Sequence, residues 1–197
     1  MKRRSFLKIG LAGIGSLAIP IKSWALKYFL KPTDKKWAVI YGTWCGSSRD
    51  AAIWISEGMG GIADVFDVRE NPDLTGFDHL VIGGSIRASR VSSELKNFLE
   101  KNRGFIKNKI RGYFIICGNM RQPITPEQKN TFIDQHLALI TGVNDVPGKV
   151  FLGRMTKSLL DSQSLQVIES MGGQDYDAMN RPDFLVFGQT ILNSMKD

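Results

Sequence analysis

Five short apolar runs constrain this chain more than any other feature: WAVIY (37–41), ADVFDV (63–68), HLVIG (79–83), YFIIC (113–117) and KVFLG (149–153). Continuous apolarity suits strands buried on both faces, although the second run alternates in part. Between the runs the apolar spacing becomes helical. Ala52, Ile55 and Met59 fall on one face, and so do Val91, Leu95, Phe98 and Leu99. Thr125-Pro126 opens a further helix by capping chemistry, with Phe132, His136, Leu139 and Ile140 as its expected buried face. Phe184, Phe187, Ile191 and Met195 mark a last one. Strands alternating with helices predict an α/β fold, a parallel sheet covered on both faces. Gly83-Gly84 is expected to stop the third strand. The connection 154–181, between the fifth strand and the last helix, is an abnormally long insertion. Its first half suits a short helix through Met155, Leu159 and Leu160, and MGGQD (171–175) suits a loop.

A chain of 197 residues, 43% hydrophobic, can bury the core of one domain, expected over 37–197. The net charge of +7 suggests nucleic acid until it is located. Lys2, Arg3, Arg4, Lys8 and Lys22 account for all but +2 of it, and no basic stripe interleaved with aromatics remains, which argues against nucleic acid as a partner. The head KRRSFLK carries a twin arginine and leads into a short apolar run at 9–21, too short to cross about 30 Å of hydrocarbon. Ser23-Trp24-Ala25 then supplies small residues for cleavage. Residues 1–25 are similar to twin-arginine (Tat) export signals. The resemblance implies passage through the Tat translocase, already folded around a cofactor, to the periplasm or the outer face of the cytoplasmic membrane. An uncleaved membrane-anchoring N-terminus is the alternative. Residues 26–36, with Pro32 and four lysines, are expected to be a tether.

GTWCGSSRDA (42–51) starts like a thioredoxin motif, but Ser48 stands where the second cysteine would be. In an open parallel sheet, ligands sit beyond the carboxyl ends of the strands where the order reverses. Phosphate bound there needs uncovered backbone N–H groups, short hydroxyls and a helix N-terminus. Thr43, Trp44, Cys45, Gly46, Ser47 and Ser48 lie at that place, with no lysine for a Walker loop and no GxGxxG. A cradle of hydroxyls and amides without a cation suits a phosphate monoester that is held rather than cleaved. Flavodoxins hold FMN in this way; plain helix capping is the alternative for this stretch. GGSIR (83–87) closes the third run and CGNMR (117–121) the fourth. In a flavodoxin-like order 2-1-3-4-5 these ends line one crevice, placing Gly84, Ser85, Ile86 and Arg87 beside a flat ring and Cys117, Gly118 and Asn119 at its edge.

LVIGGSIR (80–87) with the polar-apolar run to Phe98, the loop Tyr41-Gly42-Thr43 with Gly46 and Ser48, and the late GGQD (172–175) together resemble the menaquinone-dependent protoporphyrinogen dehydrogenase family over residues 36–197. The resemblance implies a flavodoxin-like three-layer sandwich, FMN as cofactor, a porphyrinogen-like donor and a quinone acceptor or membrane redox partner. Cys45 stands where that family's loop carries an acid, and neither 85–90 nor 117–124 offers an aromatic side chain to flank a flavin. An extracytoplasmic flavodoxin-type electron carrier is the main alternative, and a flavin-free binding module the second. No general acid or base stands out. Arg87 and Arg121 are either solvated loop residues or, near the ring, charges that favour its reduced anion and raise its potential.

Cys45 and Cys117, the only cysteines, are expected about 10 Å apart across an intervening strand, beyond the reach of a disulfide. They read as free thiols near the flavin or as small packing residues. His79 and His136 have no second ligand at metal spacing and are assigned structural roles, so no metal site is expected.

Overall fold

The computed structural model describes residues 34–118 and 122–195. The expected signal at 1–25, the tether as far as residue 33, Asn119 and Arg121 lie outside these residues. In chain order the elements are β1 (Trp37–Gly42), α1 (Ser47–Gly58), β2 (Ala63–Asp67), β3 (His79–Ile86), α2 (Ser93–Ile106) and β4 (Ile110–Cys117). Then come α3 (Pro126–Lys129), which runs through a π-helical stretch (Asn130–Ala138) into α4 (Leu139–Thr141), and β5 (Gly148–Leu152). A small hairpin of β6 (Arg154–Met155) and β7 (Tyr176–Asp177) encloses α5 (Ser162–Ser170), and α6 (Arg181–Asn193) closes the described chain. The first five strands form one parallel sheet in the order β2-β1-β3-β4-β5. This is the expected doubly wound, three-layer architecture.

Alternation along β1 shows why the strands are apolar throughout. Ala38 and Ile40 enter one core, with Leu95, Phe98 and Leu99 of α2 and with Ile133 and Leu137. Trp37, Val39 and Tyr41 enter the other, with Ala52 and Ile55 of α1, Met59 just past its end, and Phe184, Phe187 and Ile191 of α6. Both faces of the strand are buried, so neither position tolerates a polar side chain.

Four elements differ from expectation. First, β3 does not stop at Gly83-Gly84 but continues to Ile86. A Cβ on Gly83 would lie 2.3 Å from Phe114 and one on Gly84 2.8 Å from Leu95, so these glycines accommodate neighbours rather than end the strand. Second, the helix after Thr125 widens into the π-helical stretch, and its inward face becomes Ile133, Leu137, Ala138 and Thr141. Phe132, His136 and Ile140 are only partly buried, and Leu139 is 69% exposed. A buried polar anchor accounts for the change: Tyr113 Oη and Thr141 Oγ1 are 2.5 Å apart, and Thr141 Oγ1 also donates to the Leu137 carbonyl at 2.8 Å. Burial pushes the Tyr113 phenol up to about 12, so it stays a neutral partner. Third, the short helix expected through Met155, Leu159 and Leu160 is reduced to one 3-10 turn (Lys157–Leu159), and the insertion's longer helix is α5. Asp161 starts it by accepting from the Ser164 amide at 3.0 Å. Fourth, Met195 lies past the end of α6 and is 40% exposed.

Helices α1 and α6 approach so closely that Gly188 has no room for a side chain; an added Cβ would meet the Ile55 carbonyl at 2.3 Å. Gly104 of α2 has nothing within 4 Å. Gly188→Ala should therefore cost about 1–3 kcal/mol by overpacking. Gly104→Ala should add about 0.5–1 kcal/mol by helix propensity. Urea unfolding of the two variants checks this, with midpoints expected to move in opposite directions.

Candidate functional site

Register places the carboxyl ends of three strands side by side. Gly42 of β1 pairs with Gly84 of β3, and Ile86 pairs with Cys117 of β4. Beyond β1 the chain turns through Thr43–Gly46. Thr43 Oγ1 accepts from the Gly46 amide at 3.0 Å, which fixes the loop, and Gly46 at φ 86° occupies the N-cap of α1. Only glycine adopts that left-handed conformation at no steric cost, but it brings no side chain to cap the helix. The first amides of α1 are thus left to an outside acceptor. Ser48, fully buried in this first turn, has a hydroxyl without a hydrogen-bond partner. A helix N-terminus with a buried unpartnered donor is a site for an anion.

A cleft of about 410 Å³ opens beside this turn. Of the residues expected to form it, Trp44, Cys45, Ser47, Ser85, Ile86, Arg87, Cys117 and Gly118 line it. Thr43, Gly46 and Ser48 belong to the turn that bounds it. Gly84 does not face it; its missing side chain makes room for Leu95 from the core side. Ser85 does face it, and its buried Oγ, like that of Ser48, has no partner. Asn119 and Arg121 lie outside the described residues. Neither Cys45 nor Cys117 is in a disulfide. Burial pushes the Cys45 thiol up, against the opposing charge of Arg87, so it is a protonated, weakly nucleophilic group.

The insertion after β5 folds back onto the turn, which the sequence did not reveal. Ser47 Oγ donates to the Arg154 carbonyl at 3.4 Å, and Cys45 Sγ to the Leu159 carbonyl at 3.5 Å. The Arg154 guanidinium pairs with Asp50 of α1 at 2.5 Å. Arg87 Nη2 donates to Asp161 at 2.8 Å while its guanidinium lies 5.0 Å from the centre of the Trp44 ring. Asp161 is held down to about 2 by the Ser164 amide, the Ser164 hydroxyl and Arg87, so it is an anion at every ordinary pH. The charge of Arg87 therefore has a carboxylate partner instead of facing the cleft unopposed.

One correction follows: the turn does not lack a cation, because Arg154 stands beside it. The loops 85–90 and 117–124 offer no aromatic side chain, and the aromatic walls come from elsewhere: Tyr176 and Phe132 line the cleft together with Trp44. Gly118 leaves room for Tyr176, whose hydroxyl lies 3.0 Å from where a Cβ would stand, and burial raises that phenol. Both missed residues had a signal. Arg154 directly follows Gly153 at a strand's carboxyl end, and Tyr176 directly follows GGQD.

A larger groove of about 920 Å³ adjoins the cleft, sharing Trp44, Arg87 and Ala88 with it. Arg87, Arg90, Lys96 and Arg103 line it against one carboxylate, Glu100, and Leu139 and Ile140 give it an apolar wall. The π-helical stretch turns His136 and Gln135 toward it, so His136 borders a groove instead of filling the core. His79 lies at the far, amino end of β3, packed against Trp37 at 4.5 Å between ring centres. Desolvation lowers its imidazole, which keeps it neutral and away from the site's chemistry.

A family model described as Flavodoxin domain matches residues 38–178. Among solved structures, oxidised flavodoxin 1 from Bacillus cereus aligns with a TM-score of 0.53 at 14% identity, covering 82% of this chain and 99% of that one. A Fusobacterium nucleatum flavodoxin bound to flavin mononucleotide aligns at 0.50 and 15%, covering 82% and 97%. Rubredoxin oxygen:oxidoreductase from Desulfovibrio gigas aligns at 0.50 and 14%, covering 85% of this chain; the match spans only 37% of that protein's length. At such identities the likeness is one of fold. No curated protein matches the chain.

Asp161→Ala removes both the cap of α5 and the partner of Arg87. Amide hydrogen exchange should quicken in residues 156–170 while the amides of the central sheet keep wild-type protection. Equal loss of protection in sheet and insertion would show that Asp161 stabilises the whole fold instead.

Proposed function

The chain belongs to the flavodoxin domain family, and from that premise we propose that it holds one FMN non-covalently in the cleft and works as an oxidoreductase. The observation that carries this is the pair of unpartnered buried hydroxyls, Ser48 Oγ in the first turn of α1 and Ser85 Oγ near the end of β3. An orphaned buried hydroxyl costs about 1–3 kcal/mol, and a ligand that accepts from it removes that cost. The FMN-bound Fusobacterium flavodoxin, which shares the fold, supports the choice of cofactor. The cleft's volume also falls within the range of small-molecule sites, about 300–1,000 Å³.

The residues divide the work by chemistry. Ser48, Ser47 and the first amides of α1 suit the phosphate, where the helix's positive end adds to their attraction. Trp44 and Tyr176 offer aromatic faces to a flat ring, and Ser85 and the backbone at Ile86 and Gly118 offer polar contacts to its edge. The insertion, tied down by Asp50, Asp161 and the Leu159 carbonyl, covers one side and limits access of water. FMN supplies the electron acceptance; the chain orients it and sets its surroundings.

The adjoining groove favours an enzyme over a simple electron carrier. A carrier passes electrons through an exposed ring edge and has no use for a substrate-sized recess. Arg87 of this groove is paired with Asp161 and Lys96 with Glu100 at 3.8 Å, which leaves Arg90 and Arg103 beside the apolar wall. That combination suits an apolar donor that bears carboxylates, as the resemblance to the protoporphyrinogen dehydrogenases implies. In this scheme the donor is oxidised by two electrons and a quinone takes them up. Export through the Tat route, with work at the outer face of the cytoplasmic membrane, completes the proposal.

Purified chain reconstituted with FMN should retain one flavin per chain and, once reduced, pass electrons in pairs to a menaquinone analogue. Single-electron exchange with proteins and no turnover with the analogue would favour the carrier. Ser48→Ala should weaken FMN about tenfold or more while leaving the flavin-free chain equally or more stable to urea, by up to about 1–3 kcal/mol. A variant that loses stability without FMN would show that the hydroxyl serves the fold.

A further inference from the structure

A cation at the phosphate turn comes from a distant part of the chain. Arg154 opens β6, immediately beyond β5, and its backbone carbonyl accepts from Ser47 Oγ at 3.4 Å. Its guanidinium extends over the N-terminus of α1, where Nη2 stands 3.8 Å from the position of a Cβ on Gly46. Gly46 is the uncapped N-cap, so this charge sits against the amides that lack a side-chain partner. The guanidinium pairs with Asp50, in the first turn of α1, with side-chain exposures of 27% and 28%. The buried orphan hydroxyl of Ser48 lies in the same turn.

We propose that Arg154 recognises the phosphate of the bound flavin, and that Asp50 holds it ready at the helix N-terminus in the phosphate's absence. The proposal rests on the FMN-binding function above. A guanidinium presents several N–H groups in one plane, so it can engage a phosphate oxygen without surrendering the Asp50 contact. Asp50 has two opposed effects: it orients Arg154, and it adds a negative charge near where the phosphate arrives. Arg154 also lines the cleft, in the hairpin that carries Tyr176, but its charge stands at the phosphate end, so Arg154 makes the site select a phosphorylated flavin over an unphosphorylated one.

The test is titration of the full chain, freed of flavin, with FMN and with riboflavin, followed by quenching of flavin fluorescence. Wild type should prefer FMN strongly. Arg154→Gln should weaken FMN about 10- to 100-fold and change riboflavin affinity less than about twofold, as expected for loss of one charge-assisted contact. Arg154→Lys should recover part of the loss. Asp50→Asn, which keeps the cation and removes the nearby anion, should tighten FMN several-fold with riboflavin unchanged. Arg154→Gln losing both ligands equally, or neither, overturns the assignment. So does Asp50→Asn weakening FMN as much as Arg154→Gln does, because the pair would then be a structural clasp. A wild-type chain that binds neither ligand refutes the FMN function itself, whereas a tight FMN complex indifferent to Arg154 refutes only this inference.

Discussion

The pairing of Gly42 with Gly84, and of Ile86 with Cys117, is the constraint on which the rest of the structure depends. It brings three strands to a common edge, so the loops that follow them border one recess. It also lets Leu95 press on both glycines from the opposite side, tying the α2 layer to the level at which the strands end. A side chain at Gly84 would push Leu95 away and disturb the register in which Ser85 faces the cleft. Packing and site geometry are thus determined by the same few atoms.

Around that edge the chain keeps features that work against its own stability. Two buried hydroxyls have no partner, α1 starts without a side-chain cap, and a large tryptophan stands 42% exposed at the mouth of the cleft. Each is expected of a site held ready for a ligand, because a group already satisfied by the protein has less to offer one. Elsewhere Tyr113, Thr141 and the Leu137 carbonyl satisfy one another inside the core, and the further buried side-chain atom without a hydrogen-bond partner among the described residues is His79 Nδ1, at the opposite end of the sheet. Two orphaned hydroxyls beside one uncapped helix are what single this rim out.

The insertion gives the site its individual character. Its first residue supplies a cation, its hairpin an aromatic ring, and Asp161 both caps α5 and pairs with Arg87. A plain flavodoxin-like sheet would leave that side of the cleft open to solvent.

How much of this was legible in the sequence depended on the range of the interactions. The five strands were, because apolar continuity is a local property of WAVIY or YFIIC. The turn at 42–48 was too, because Thr43, Gly46 and Ser48 act within a few residues of one another. Gly83-Gly84 misled because its role lies in Phe114 and Leu95, distant in the chain. The face of the helix at 126–141 was displaced by a hydrogen bond from Tyr113 on another element. Arg154 and Tyr176 were missed because only the tertiary fold returns the insertion to α1 and β4. Local chemistry singled out the turn, and long-range packing decided what surrounds it.

The central claim is that this edge grips a phosphorylated flavin. Two-dimensional amide NMR of the flavin-free chain tests it most directly. FMN should shift the amides of Gly46, Ser47, Ser48, Ile86 and Gly118 together, at one flavin per chain. Shifts confined to residues far from these strand ends, or none at all, would contradict it.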